Sequence, residues 1–149
     1  MLRILDNPLQ DIPMAAVLAS PIVGMDDEEL AQIRSAFKGV SFAQAALSAM
    51  AGEDGYEDEK LKAFALVFER LRGAVADTPI HELLYMMLDE TGFYRYASAM
   101  PAGKRRRQNI DMLIEMAAAY EKTSYNGQFP FVRYIDIQQK YEIGYGEAD

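Results

Sequence analysis

The sequence predicts a single all-α domain of about seven or eight helices around one long central helix, with irregular arms at residues 1–10 and 141–149. Three observations carry that reading. Apolar residues recur at three- and four-residue steps through most of the chain, as in Leu61, Phe64, Phe68, Leu71 and Val75, and alternation at strand spacing is not seen. Alanine and nine methionines weight the composition toward helix, with 50% hydrophobic and 26% charged residues. A chain of 149 residues suits one core, because chains near this length bury roughly two thirds of their unfolded surface.

The elements follow in order. Residues 2–10 lack a helical period and contain Asn7-Pro8, a turn or extended signal, so an irregular arm is expected. Asp11 is placed to cap a first helix with Pro13 in its opening turn, Met14, Val17 and Leu18 on its apolar face, and Pro21 and Gly24 at its end. Asp26 and Glu29 have capping-box spacing ahead of Leu30, Ile33 and Phe37, with Gly39 beyond. Ser41 and Gln44 repeat that logic for a helix carrying Phe42, Ala45, Leu47 and Met50. Gly52 to Glu59 reads as an acidic solvated connector; it lacks the alternating acidic ligands of a calcium loop, since Asp54, Gly52 and Met50 precede Gly55. The long amphipathic helix from Leu61 follows, weakened near its end by Gly73.

Pro79 restarts the chain as the first helical residue of a segment with Leu83, Leu84, Met87 and Leu88 that stops at Gly92. Phe93, Tyr94, Tyr96 and Met100 form a short aromatic helix, broken by Pro101-Ala102-Gly103. The central helix is expected from Lys104 to Glu121, where Ile110, Leu113, Ile114, Ala117 and Tyr120 recur and Met112, Met116, Ala118 and Ala119 fill other positions. A helix this apolar around its circumference is predicted to be buried on most sides. Phe129, Phe131, Val132 and Ile135 open a last helix that ends by Gly144 and Gly146, and Pro130 moves its start to Gln128 or later.

The chemistry is defined as much by absences. With no cysteine, disulfides and thiolate metal sites are excluded, and a reducing, cytoplasmic setting is the simpler expectation. Gly103-Lys104 lacks the leading glycine and following hydroxyl of a phosphate loop, having Ser98 and Arg105 instead. His81-Glu82 lacks the second histidine of a zinc-protease helix, because Tyr85 stands there. Asp26, Asp27, Asp58 and Glu59 read as caps and solvated faces, so neither a catalytic residue nor a metal ligand is expected. Nor does any stretch reach the length of a membrane span.

One feature calls for function. Lys104, Arg105, Arg106 and Arg107 put four cations where the helix dipole is already positive, at a cost of roughly 0.3–1 kcal/mol each before screening. They are the candidate DNA-binding residues, suited to phosphate contact without sequence readout; the equally weighted alternative is solvated charge that balances a very acidic protein. The net charge of −8 confines any such contact to a local patch.

The residues also resemble a known family. Leu5-Asp6-Asn7-Pro8-Leu9-Gln10-Asp11-Ile12-Pro13, Ala15 to Leu18, Ser20-Pro21, Asp27 to Leu30, Thr91 to Tyr94, Met100 to Gly103, Arg106 with Asn109-Ile110, and Tyr120 to Ser124 through Phe129, Phe131 and Arg133 to Ile135 stand as in the AddA family, one of the two subunit types of the bacterial ATP-dependent helicase/nuclease. Residues 39–57 carry little of the likeness. This chain has Arg107 and Gln108 where the family usually reads Gln and Ala, which makes the basic cluster stronger than the family pattern.

The resemblance implies a fragment of a superfamily 1, UvrD/Rep-like helicase corresponding to its inserted 2B accessory subdomain, non-catalytic by itself. Residues 1–10 and 141–149 would then connect to the motor domain. The implied role is to position duplex DNA and modulate unwinding in double-strand-break repair and recombination. ATP and magnesium would serve the parent protein outside this stretch. The implied partners are DNA, the B-type subunit of the helicase/nuclease and the rest of the AddA polypeptide, with no membrane. The alternative is a protein-interaction module that holds that second subunit or gates the motor without binding DNA. A free-standing ligand-binding protein would need a large apolar pocket with convergent polar groups, of which the sequence gives no sign.

Overall fold

The computed structural model describes residues 1–122, 131–133 and 135. Its α-helices are α1 (Leu2–Asp6), α2 (Asp11–Ala19), α3 (Asp27–Ala36), α4 (Phe42–Met50), α5 (Glu59–Ala74), α6 (Ile80–Thr91), α7 (Phe93–Ala99) and α8 (Gly103–Glu121). A 3-10 turn at Glu53–Gly55 lies in the acidic connector, and residues 131–133 and 135 are also helical. The fold is all-α, and no described residue lies in a strand. The expected start of the last helix near Gln128, its end near Gly144 and the arm 141–149 lie outside the described residues.

Local side-chain caps set the starts of α3, α4 and α5. At α3 the reciprocal capping box forms: Asp26 Oδ1 accepts the Glu29 N–H at 2.8 Å and Glu29 Oε1 accepts the Asp26 N–H at 3.3 Å. Ser41 Oγ accepts from Gln44 N–H at 3.2 Å, and Asp58 Oδ1 from Leu61 N–H at 3.0 Å. Each such cap contributes about 1 kcal/mol. Gly92 ends α6 in the left-handed region at φ 66°, where a Cβ would be strained. Pro79 precedes the first residue of α6 rather than being that residue.

Asp11 departs from expectation. Gln10 occupies the α2 cap position without a side-chain bond, while Asp11 Oδ1 reaches across to accept the Ala43 N–H at 2.9 Å. This carboxylate therefore satisfies the first turn of α4, 32 residues away.

The N-terminal arm is a correction too. Residues 2–6 are helical, and Ile4 and Leu5 are fully buried. Five residues are too few to display a period, so tertiary contacts decide the conformation. Arg72 Nη1 donates to the Leu5 carbonyl and, at 3.2 Å, to that of Asp6, while Gln10 Nε2 donates to the Arg3 carbonyl at 2.9 Å.

Two apolar cores result. The first gathers α1 to α5, with Ala43, Ala45, Ala46 and Ala49 of α4 all buried so that α2, α3 and α5 approach it closely. The second holds Ile80, Leu84, Ile114, Ala117 and Phe131. Helix α6 joins them: Leu83 enters the first and Leu84 the second, because successive residues lie about 100° apart around a helix. Met87 packs against both.

The central helix is thus α6, and the expected central position of α8 is corrected. Helix α8 lies on the flank against α6 and α7, with only Ile114 and Ala117 buried and Met112 56% exposed. Alanines and a flexible methionine raise its apolar count without demanding burial, and its first two turns are exposed from Lys104 to Asn109.

Charged groups bind helices at the edges. Lys60 Nζ bridges Glu29 at 2.7 Å and the Gly24 carbonyl at 3.0 Å, and the Glu29 hydrogen bond holds its ammonium above the usual lysine value. Nearby Tyr56, packed on Phe37, is also raised, first by burial and then by Asp58 and Glu29. Arg70 forks onto Glu90 at 2.8 and 2.9 Å, joining α5 to α6.

Candidate nucleic-acid interface

The basic turn sits where α7 gives way to α8. Ala102, at φ 60°, occupies the cap position in the left-handed region, and its side chain offers no acceptor for the first N–H groups of α8. Gly103 follows under a tight steric constraint. A Cβ there would lie 2.0 Å from the Ser98 carbonyl oxygen and 2.7 Å from its carbon. The sequence reads Pro101-Ala102-Gly103 simply as a break, but only a residue without a side chain lets α8 start this close to α7.

Lys104, Arg105, Arg106 and Arg107 are all exposed and occupy one turn, so the structure brings the four candidate residues together. Arg106 Nε donates to the Pro101 carbonyl at 3.1 Å, tying its guanidinium back to the turn. Among the described residues none of the four enters a salt bridge. Exposed guanidinium and ammonium groups beside uncapped N–H groups form a surface suited to anions, particularly phosphate oxygens.

Between Glu90 and Asp111 the chain has five cations and no carboxylate, and the fifth, Arg95, has no helical-spacing signal that marks it in the sequence. Arg95 lines a cleft with Tyr85, Asp89, Tyr94 and Asp111, where the Tyr94 hydroxyl reaches Asp111 Oδ2 at 3.5 Å.

The opposite end of α8, roughly 23 Å away at 1.5 Å per residue, is anchored by Glu121. One carboxylate oxygen accepts the His81 N–H at 2.7 Å and the other meets His81 Nδ1 at 2.6 Å. Sequence excludes a zinc-type role for His81 but cannot show this partner, 40 residues away. The contact puts a negative group at the N-terminus of α6 and fixes the antiparallel pairing of α6 and α8. Asp26 and Asp58 serve as caps, while Asp27 and Glu59 lie in the exposed first turns of α3 and α5.

Among the described residues no three His, Asp or Glu side chains are placed to hold a metal ion. No described helix is long and apolar enough to cross a membrane.

An apolar groove, unannounced by the sequence, lies between α2 and the α6–α8 pair, with Leu2, Val132 and Ile135 also lining it.

No family model matches the chain. Curated relatives match nearly all of it. The ATP-dependent helicase/nuclease AddA protein of Anoxybacillus flavithermus is 42% identical over 99% of this chain, and that of Bacillus velezensis is 38% identical over 94%. The chain matches a region of the AddA helicase/nuclease family. The AddA protein of Bacillus cytotoxicus extends the agreement, at 42% identity over 90% of the chain. The region is a small part of those family members: the chain spans 11–12% of their length.

Proposed function

We propose that this chain is the 2B-like accessory subdomain of an AddA helicase/nuclease, and that its basic turn contacts duplex phosphates while motor domains elsewhere perform the ATP chemistry. The observation that carries the reading is the exposed run of cations at the start of α8, free of salt bridges among the described residues and set on an otherwise acidic protein. Four cations on a flank of a protein with net charge −8 suit weak, sequence-independent positioning rather than wrapping of DNA. The B-type subunit of the helicase/nuclease and the rest of the AddA polypeptide are the proposed protein partners, in a cytoplasmic setting.

The test uses Arg105→Glu with Arg107→Glu in the full-length AddA protein, leaving Arg106 to hold the Pro101 carbonyl. Duplex binding should weaken while ATPase activity without DNA is retained. The dependence of log affinity on log salt should become shallower by about 2, at roughly 0.9 for each phosphate no longer neutralised. Unchanged duplex affinity and salt dependence would return the cluster to solvated charge.

The alternative reading, an interaction module, is favoured by the apolar groove. Both readings hold together if the basic turn meets DNA and the groove meets protein, since none of Lys104 to Arg107 lines the groove.

A further inference from the structure

We infer that the groove between α2 and the α6–α8 pair seats an amphipathic helix from the AddA polypeptide that flanks this region. The inference rests on the chain being one region of an AddA protein, and it assigns the surface through which that region is held.

The groove has a volume of about 630 Å³. Ile12, Pro13 and Ala16 of α2 form one wall, and Leu88 of α6 with Ile110 and Leu113 of α8 form the other. Ile12 is 83% exposed although Met14, Val17 and Leu18 of the same helix are buried. The α2 helix thus turns one apolar side into the first core and leaves another in water.

The lining selects the chemistry of its occupant. Arg3, Ser20 and Thr91 are the polar side chains among the described lining residues; Arg3 is not without a partner, and both hydroxyls are committed to their own helices: Ser20 Oγ donates to the Val17 carbonyl at 2.6 Å and Thr91 Oγ1 to that of Met87 at 2.7 Å. A small polar ligand needs a few convergent polar groups to orient it, and these already have partners. A row of aliphatic side chains needs none. The walls are helices, and a third helix laid along them is the usual solution to such a groove.

The position of the groove selects the source. Leu2 near the start of the chain and Val132 and Ile135 near the end of the described residues all line it. The AddA relatives are about eight times as long as the region they share with this chain, 12% of their length. Polypeptide continuing from either side is therefore tethered beside the groove, where linkage gives an effective concentration that can reach the millimolar range. A separate protein has no such advantage.

Hydrogen exchange of the α2 amides tests this in the full-length AddA protein and in the 149-residue chain alone. At matched conditions, α2 should exchange at least tenfold more slowly in the full-length protein. Ile12→Glu should remove that difference there while leaving exchange and thermal stability of the isolated chain unchanged, because the side chain already faces water. Equal α2 exchange in the two proteins would overturn the inference, as would full-length protection that survives Ile12→Glu. Protection of the isolated chain that rises with its concentration would assign the groove to a second copy and also overturn it. Failure of the DNA-positioning reading would appear separately, as duplex affinity insensitive to Arg105→Glu with Arg107→Glu.

Discussion

Replacing Gly103 by alanine should destabilise the protein by about 2 kcal/mol, against the sign that helix propensity alone predicts. Gly103 is the first residue of α8 and does not have a positive φ, so on propensity alone alanine would gain up to about 1 kcal/mol. The added Cβ, however, would sit 2.0 Å from the Ser98 oxygen, 2.7 Å from its carbonyl carbon and 3.3 Å from its Cα. Ordinary contact requires about 3.5 Å. The obstacle is backbone in the last turn of α7, where Ser98 Oγ also donates to the Tyr94 carbonyl at 2.7 Å, so no side-chain rotation relieves it. Extra methyl groups in tight sites cost about 1–3 kcal/mol, and an obstacle made of backbone belongs toward the upper end. Urea unfolding should show the midpoint lowered by about 1 M with the slope unchanged, given typical slopes of about 1–3 kcal/mol per molar. Gly73→Ala is the control of opposite sign: Gly73 lies within α5, its Cβ would meet nothing within 4 Å, and about 0.5–1 kcal/mol of stabilisation is expected. A Gly103→Ala protein as stable as the parent would refute the steric account of the α7–α8 junction.

Three further outcomes are expected. Asp11→Ala should cost about 1 kcal/mol in thermal or urea unfolding by uncapping Ala43, whereas Asp11→Asn, which keeps Oδ1, should recover most of it. Glu121→Ala should cost about 1–2 kcal/mol and speed amide exchange at His81 selectively, because it removes both the His81 N–H acceptor and the ring contact. Stability should fall as pH rises beyond 10: Tyr56 is raised from 10.0 and Lys60 from 10.5, so above those values the folded state holds protons that the unfolded chain releases. Tyr56→Phe combined with Lys60→Gln should flatten that alkaline limb in denaturation series, and an unchanged limb would assign it to other groups.

What the sequence determined by itself was local. The capping box of Asp26 and Glu29, the Ser41 and Asp58 caps and the stop at Gly92 depend on residues at most four apart, and their chemistry is readable without a partner. The periodic apolar faces of α3, α5 and α6 are of the same kind, and so is the gathering of Lys104 to Arg107 on one turn, which helical geometry guarantees. The likeness to a region of AddA proteins was legible as well, in the ordered segments from Leu5 to Ile135.

Tertiary structure decided everything that depends on which helix meets which. Periodicity counts apolar residues but not their neighbours, so α8 looked central when Ala118, Ala119 and Met112 inflated its apolar share, and α6 proved to feed both cores through Leu83 and Leu84. The short α1 is stabilised by burial of Ile4 and Leu5 and by Arg72 on its carbonyls, contacts made with α5 some 66 residues on. Asp11 found Ala43 rather than its own helix, and His81 found Glu121. The α2 groove was hidden for the same reason: an exposed Ile12 becomes part of a binding surface only when α6 and α8 are brought opposite it, and that juxtaposition exists only in three dimensions.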